Sequence, residues 1–372
     1  MKLGILGGGQ LARMLALAAY PLGINTVCLD PSPDACAGHL TKLIVSEFTD
    51  ELALKQFLSE VDCVTIETEN IPFSCAELVA QIRPFYPSTQ ALKITQDRLY
   101  EKNFFRSLNI PTPGFLPVES EDELIQAVSD IGMPAVLKTR RFGYDGKGQY
   151  VLRTQSDISK SWRMLGNQPL ILEELISFES EFSLIAVRNK SGETNFYPLI
   201  KNHHRKGILH FSEAPVHHNA LQQEAQAHAV KILEDLNYIG VLTIEFFYRG
   251  NQLIANEIAP RVHNSGHWTI EGAHTSQFEN HLRALFDLPL GSTEVPSSCF
   301  LLNCIGNLLP LKSCLSIPGV HYHAYGKAPR PDRKVGHVTL VDTHLERYAK
   351  SKDILFQISS AANVDKANDD SQ

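Results

Sequence analysis

The sequence predicts a chain that is α/β in its first third and α+β in the remainder, and three stretches predict it. Lys2 to Leu6 is a short apolar strand, followed by Gly7-Gly8-Gly9-Gln10-Leu11-Ala12 and an apolar helical run to about Tyr20, the opening of a doubly wound unit. Pro134 to Arg153 reads as two strands joined by a glycine-rich, cationic tip. Val241 to Ile258 reads as an apolar hairpin interrupted by two acids, Glu245 and Glu257.

In the first unit the glycines let the backbone approach an anion, and the helix N-terminus offers unpaired N–H groups to a phosphate. The second strand, Asn25 to Leu29, ends at Asp30, so the stretch matches the dinucleotide pattern G-x-G-x-x-A with an acid about 20 residues on. A mononucleotide phosphate fits the same amides equally well. Strand Cys63 to Ile66 ends in Glu67-Thr68-Glu69-Asn70. Acids at the carboxyl end of a parallel strand face the ligand crevice of such folds. Glu67 and Glu69 are read as crevice residues, whereas Asn70 is at least as well suited to cap the helix that follows Pro72.

Gln96-Asp97-Arg98 opens a helix through Leu108, and Ile110-Pro111-Thr112-Pro113 breaks it at a domain boundary. After an amphipathic helix from Glu121 to Ile131, the strand from Pro134 ends in Lys138-Thr139. The tip carries glycines at 143, 146 and 148; its spacing is not that of a Walker loop, and a strand follows it. Such a tip is mobile enough to close over phosphates, with Lys138 and Lys147 to neutralise them. A solvated basic turn is the blander account and gives the three glycines no work. Leu170 to Ile176 is an apolar strand carrying Glu173-Glu174, acids suited to ribose hydroxyls. Lone histidines such as His204 carry no signal by themselves. Residues 220 to 237 form an amphipathic helix whose Leu221, Ala225, Ile232, Leu233 and Leu236 face a core.

Glu245 and Glu257 are equidistant from Asn251 in the turn Arg249-Gly250-Asn251. A loop with an odd number of residues, centred there, places both carboxylates on one face of the sheet. Two adjacent carboxylates repel unless a cation lies between them. Hard oxygen ligands suit Mg2+, which takes one or two carboxylates together with substrate phosphates. Arg261, His263, Asn264, His267 and Trp268 follow directly, so a candidate metal site runs into a cationic, hydrogen-bonding loop. A solvated edge hairpin is the alternative, but the flanking residues are too apolar for two exposed faces.

With 372 residues the chain has room for two or three cores, and a net charge of −7 without a basic block excludes bulk attraction to nucleic acid or anionic membranes. No apolar run approaches a membrane span, and Met1-Lys2 leads straight into a strand without a signal-peptide pattern. The seven cysteines form no CxxC pair and sit mostly in apolar runs, as reduced core thiols of a cytoplasmic protein do. The polar ending NVDKANDDSQ predicts a flexible tail over 351–372.

Taken together, GGGQLARM (7–14), YDGKGQ (144–149), the Glu173-Glu174 to Glu181 segment, NEIAPRVHNSGHWT (256–269), HAYGK (323–327) and RPDRKVGHV (330–338) resemble the ATP-grasp ligases. Within them the chain is most similar to the N5-carboxyaminoimidazole ribonucleotide synthetase family, from Met1 to about Tyr348. The resemblance implies an ATP-grasp fold. Its parts are a Rossmann-like pre-ATP-grasp domain over 1–97, a small lid domain over 98–183 and a catalytic domain over 184–350. It implies ATP contacts at Arg98, Lys138, Gly143, Tyr144, Asp145, Gly146, Lys147, Gly148, Gln149, Glu173, Glu174, Glu181, His204, Asn256 and Glu257. Mg2+ falls on Glu245 and Glu257, and substrate binding on Gly8, Gly9, Gln10, Leu11, Glu67, Arg333 and Lys334. Tyr144, Asp145, Arg261, His263 and Lys327 take the catalytic roles. The implied reaction is carboxylation of 5-aminoimidazole ribonucleotide by ATP and bicarbonate through carboxyphosphate, in purine biosynthesis, by a homodimer. Lys147 stands where arginine is common in the family, and Asp332 where glycine is common; both are loop positions.

An NAD-dependent oxidoreductase would account for residues 7–12 and Asp30, but leaves Glu245, Glu257 and the 143–149 loop without a role. A formate-dependent glycinamide ribonucleotide ligase is the nearest alternative within the ATP-grasp group. A non-catalytic nucleotide sensor would have no use for Arg261, His263 and Lys327.

Overall fold

The computed structural model describes residues 1–143 and 146–369, the side chains of 362–369 excepted; Tyr144 and Asp145 lie outside the described residues. Strands β1 (Lys2–Leu6), β2 (Asn25–Asp30), β3 (Lys42–Val45), β4 (Cys63–Ile66) and β5 (Phe85–Tyr86) form a parallel sheet in the order β3-β2-β1-β4-β5. Parallel strands need cover on both faces, and β4 is buried along its whole length. The order reverses between β1 and β4, where open sheets of this kind leave a crevice beyond their strand ends. The helix Gln10–Ala19 has no side-chain cap from its own N-cap residue, Gly9. Glu67, just past β4, supplies one, accepting from Gly9 N–H at 2.5 Å and Ala12 N–H at 3.0 Å. Only glycine permits that approach, since a Cβ on Gly9 would lie 2.5 Å from Glu67 Oε1.

A second, antiparallel sheet joins β6 (Phe115–Val118), β7 (Ala135–Thr139), β8 (Gln149–Leu152) and β9 (Leu170–Glu174) in the order β6-β9-β7-β8. The helices Glu121–Ile131 and Ser156–Leu165 cover it through Leu124, Val128, Ile158 and Leu165. The third sheet holds β10 (Ser180–Arg188), β11 (Thr194–Phe196), β12 (Ile200–Arg205), β13 (Ile208–Ala214), β14 (Gly240–Arg249), β15 (Gln252–Ala259), β16 (Ser298–Ile305), β17 (Val320–Ala324) and β18 (Lys334–Asp342). Its order is β15-β14-β10-β12-β13-β16-β18-β17, with β11 set against β10.

The predicted helix appears as Asn219–Asp235, and Leu221, Ala225, Ile232, Leu233 and Leu236 are all buried in one core. Another core is shared between units: Leu11 and Leu15 of the first helix pack with Ile185, Trp268 and Leu282 of the third region. Each such fully buried side chain contributes about 1.5–3 kcal/mol, so this shared core fixes the first crevice against the third sheet. All seven cysteines are buried and free.

Two expectations are corrected. The β14–β15 loop has two residues, not an odd number: Arg249 pairs with Gln252. Gly250 and Asn251 both take positive φ (57° and 63°), which suits the right-handed twist of a tight hairpin. The acids still face each other, because Phe246 pairs with Ala255 while Glu245 pairs with Glu257. A bulge at Asn256 supplies the residue that the loop lacks. The stretch 351–369, read as part of a flexible tail, is helical. It continues a helix, Leu345–Asp369, in which Ser351, Leu355 and Ser359 are buried and Leu355 joins the core under β16 and β18. Burial of Leu355 in that core anchors this part of the helix.

Candidate active site

A cleft of about 570 Å³ opens between the three sheets, with Glu67, Lys138, Glu245 and Glu257 among its walls. Its base is the β14–β15 hairpin. Residues directly opposite in antiparallel strands share a face, so Glu245 and Glu257 present their carboxylates together. Withdrawal from water, then the charge of Glu257, pushes the Glu245 pKa up to about 7, with His204 opposing. Nearby stand His263, whose Nε2 is 3.3 Å from Glu245 Oε1, and Arg98, whose Nη1 is 3.4 Å from Glu257 Oε2. Among the described residues no group of three or more His, Cys, Asp or Glu is arranged to hold a metal. Two hard carboxylates presented together could hold a cation whose coordination substrate phosphates complete.

The position of β15 at the sheet edge leaves backbone groups that need partners. Two consecutive side chains of the helix Arg98–Ser107 supply them: Lys102 Nζ donates to Asn256 O at 2.5 Å, and Glu101 Oε1 accepts from Ile258 N–H at 2.6 Å. This clamp, with Arg98 one turn earlier, ties the bulge and Glu257 to the rest of the cleft. Burial raises Glu101 to about 8. Glu173 is also buried, which by itself would raise its pKa, but Lys102, Lys138 and Arg98 bring it down to about 2. Its Oε2 accepts from Lys138 at 2.9 Å.

On the next strands Glu181 meets His204 Nδ1 at 2.9 Å. Burial works against a charged His204, yet that bond and the surrounding acids raise its pKa. Arg261 spans Glu69 with two bonds, 2.6 and 3.1 Å, aligning a guanidinium at the cleft wall. Burial and the Arg261 charge push the His263 pKa well below its ordinary value.

The predicted residues are therefore placed unevenly. Arg98, Lys138, Gly143, Gly146, Gln149, Glu181, His204, Asn256 and Glu257 line the cleft, as do Gln10, Leu11, Glu67, Glu245, Arg261, His263 and Lys334. Lys147 and Gly148 sit in the turn that leads into β8, beside Gly146, whose position approaches Lys206 and Gly207 across the opening. Glu173 lies beneath Lys138, away from the lining, and Glu174 pairs with Arg249 at 3.1 Å on the rim. Gly8 and Gly9 do not line the cleft. Their N–H groups are taken by Asp30 at 2.7 Å and by Glu67, which removes both amides and Asp30 from the dinucleotide pattern. Lys327 bonds to Gln10, and Arg333 to Ala328 O at 3.2 Å. Asn70 lines the cleft, while Pro72 holds the N-cap position of the following helix.

Glu101 and Lys102 escaped the sequence reading, as did the bidentate use of Glu69. An acid and a lysine on an amphipathic helix look solvated, and their partners, an edge strand more than 150 positions away and, for Lys102, Glu173, lie far along the chain. Asp97 and Arg140, joined by two bonds of 2.9 and 3.0 Å across 43 positions, were likewise not read as partners.

Comparison with known proteins matches this arrangement in three consecutive segments. Residues 1–96 match the ribonucleotide synthetase preATP-grasp domain, 103–278 the ATP-grasp domain, and 299–351 the phosphoribosylaminoimidazole carboxylase C-terminal domain. The N5-carboxyaminoimidazole ribonucleotide synthase of Pseudomonas aeruginosa is 51% identical over 91% of this chain and 94% of its own. The crystal structure of N5-carboxyaminoimidazole ribonucleotide synthetase from Thermus thermophilus superposes with a TM-score of 0.92 at 49% identity, covering 96% of this chain and 98% of that one. The Aspergillus clavatus synthase, solved in complex with ADP and 5-aminoimidazole ribonucleotide, gives 0.90 at 31% identity over 97% and 98% of the two chains. The chain belongs to the N5-carboxyaminoimidazole ribonucleotide synthase family of ATP-grasp enzymes.

Proposed function

We infer that this chain is an ATP-grasp ligase that carboxylates 5-aminoimidazole ribonucleotide, using ATP and bicarbonate, to give N5-carboxyaminoimidazole ribonucleotide, ADP and phosphate in purine biosynthesis. The observation that carries the reading is the facing pair Glu245 and Glu257, set beside Arg98 and Lys138 in the cleft.

Bicarbonate carbon is a poor electrophile, and phosphorylation of one of its oxygens supplies a leaving group. An oxygen of bicarbonate attacks the γ-phosphorus of ATP, ADP departs, and carboxyphosphate forms. The exocyclic amine of the ribonucleotide then takes the carboxyl group and phosphate leaves. Mg2+ fits the donor set, since two hard carboxylates share one face and one of them is raised by the other; Glu245 and Glu257 would hold it, and it would neutralise charge on the phosphoryl oxygens. Lys138 and the glycine-rich turn at 146–148 exclude water from an intermediate that decomposes readily. Arg261, held in plane by Glu69, binds the carboxyphosphate anion. Tyr144 and Asp145, outside the described residues, serve the amine. Of the 8–11 turn, Gln10 and Leu11 face the substrate, and Lys327, Arg333 and Lys334 supply charge for its phosphate.

We also propose a homodimer in the cytoplasm, in line with seven free buried thiols and with no helix of the described residues long and apolar enough to cross a membrane. Light scattering tests the dimer. ADP release with 5-aminoimidazole ribonucleotide, with and without bicarbonate, tests the activity. Release that ignores both substrates, or that requires formate and glycinamide ribonucleotide instead, overturns it.

A further inference from the structure

We propose that Tyr325 is a positioning residue for the ribonucleotide: its buried hydroxyl fixes the turn that sets Lys327 against Gln10. The inference rests on the reaction proposed above, in which Lys327 supplies charge for the substrate phosphate. Tyr325 does not line the cleft. It is 1% exposed and lies in the core that joins the first unit to the third sheet, with Leu11, Leu15 and Trp268. The ring suits that core, whereas the hydroxyl is costly there unless it is bonded. It has two partners, His337 Nδ1 on β18 at 2.7 Å and His267 Nδ1 in the loop after β15 at 3.2 Å. Both imidazoles are fully buried.

His267 ties the hydroxyl to the cleft wall. Asn303 Nδ2 donates to Leu209 O at 2.9 Å, and a carbonyl can only accept, so Asn303 Oδ1 accepts from Asn264 Nδ2 at 3.0 Å. Asn264 Oδ1 accepts in return at 2.8 Å, and Asn264 Nδ2 also meets His267 Nδ1 at 2.9 Å. Asn264 lines the cleft in the same loop as Arg261 and His263. On the other side, Tyr325 N–H donates to Val335 O at 3.0 Å, which extends the β17–β18 ladder by one residue. Gly326 then turns the chain with a φ of 76°. Lys327 follows, half-buried, and its Nζ donates to Gln10 Oε1. Gln10 opens the helix whose Leu11 and Leu15 pack in the same core as Tyr325. Both sides of the Lys327–Gln10 contact are therefore anchored in one core. β17 is the last strand of its sheet and has a ladder on one side only. The hydroxyl, held by two histidines from β18 and the loop after β15, steadies its end where a second neighbouring strand would.

Tyr325→Phe in the full chain removes the hydroxyl and keeps the ring. KM for the ribonucleotide is expected to rise about 3- to 10-fold, with KM for ATP nearly unchanged. An unaltered KM for the ribonucleotide, or an equal rise in both, overturns the inference. The effect passes through Lys327, so adding Tyr325→Phe to Lys327→Ala is expected to raise that KM little further. Effects that multiply overturn the route. A second readout needs no turnover. Acetylation of Lys327 by dilute acetic anhydride, followed by peptide mass spectrometry, is expected to be severalfold faster in Tyr325→Phe, with Lys42 unchanged. Equal rates at Lys327 overturn the placement. Should Tyr325→Phe fail to fold, Gly326→Ala tests the same turn from the surface. Alanine is strained at a φ of 76°, and its Cβ would lie 3.1 Å from His39 Nδ1. The same selective rise in KM and faster acetylation are expected, and no change in either overturns the inference. A wild-type chain that releases no ADP with the ribonucleotide and bicarbonate defeats the functional reading, and the acetylation comparison still decides what holds Lys327.

Discussion

At the end of the first sheet and on the β14–β15 hairpin, this chain gathers carboxylates, and the two places differ in what answers them. Glu67 accepts from Gly9 and Ala12, and Asp30 from Gly8 and Ser32, all through backbone N–H groups. Glu245 instead faces Glu257, a like charge, with His263 and Arg98 only at 3.3 and 3.4 Å. The first set is satisfied by the chain itself. The second keeps lone pairs turned to the cleft and needs a cation to lie comfortably. A glycine-rich turn that looks built for phosphate is thus partly occupied by its own acids, while Glu245 and Glu257, whose ion-pair partners stand at 3.3 and 3.4 Å, are the pair proposed to hold a metal.

The sharpest way to break this contrast is Glu257→Gln. Turnover with ATP, bicarbonate and the ribonucleotide is expected to fall by at least about 10²–10³-fold, while thermal unfolding is unchanged or slightly later, because a like-charge repulsion is gone. Normal steady-state turnover would take Glu257 out of the proposed metal site.

Glu173→Gln ranks next, and it tests a carboxylate answered by cations instead of amides. Removing the charge leaves Lys102 and Lys138 close together without their anion, at a cost of about 3–5 kcal/mol. The pH dependence has a definite sign. Glu173 is held near 2 against an ordinary 4.5, so its contribution is complete above about pH 4.5 and is lost as pH falls toward 2. Denaturant melts across that window should show a shallower acid slope in the variant than in the wild type. Parallel slopes would mean that Glu173 is not the group responsible.

Local features were legible before the structure. The strand–glycine–helix opening, the 143–149 tip and the acids of the hairpin are each set by neighbours within a few residues, and composition and spacing report such features directly. What could not be read depends on partners far along the chain. Glu67 finds Gly9 from 58 positions away, and Lys102 finds Asn256 from 154. The bulge was half visible: two consecutive polar residues, Asn256-Glu257, interrupt an apolar strand, but a one-residue register shift has no period to detect. The face shared by Glu245 and Glu257 was reached with the wrong loop length, and the bulge restored the parity. The helix beyond Leu345 was hidden because its polar last residues dominated the reading of a segment whose Leu355 is in a core.

Lys327→Ala sharpens the contrast on the substrate side. Lys327 bonds Gln10, which lies in the same turn as Gly8 and Gly9 yet lines the cleft. Charge-assisted bonds of this kind are worth about 1.5–3 kcal/mol, so KM for the ribonucleotide is expected to rise about 10- to 100-fold with KM for ATP little changed. Equal increases in both would make Lys327 a structural strut.

The smallest effect falls on Glu67→Ala, and it asks whether the satisfied acid is structural. The substitution strips the acceptor from Gly9 and Ala12 at the start of the first helix, and unsatisfied groups of this kind cost about 1–3 kcal/mol. Water enters readily at this half-buried position, so the lower part of that range is expected. It should appear as a fall in melting temperature of several degrees. Because Glu67 also lines the cleft, the measurement must pair that melt with KM for the ribonucleotide. A lowered melting temperature with KM unchanged keeps Glu67 among the acids that hold the fold. An unchanged melt with a large rise in KM would move it to the substrate, and the glycine turn would then belong to the ligand side of the comparison after all.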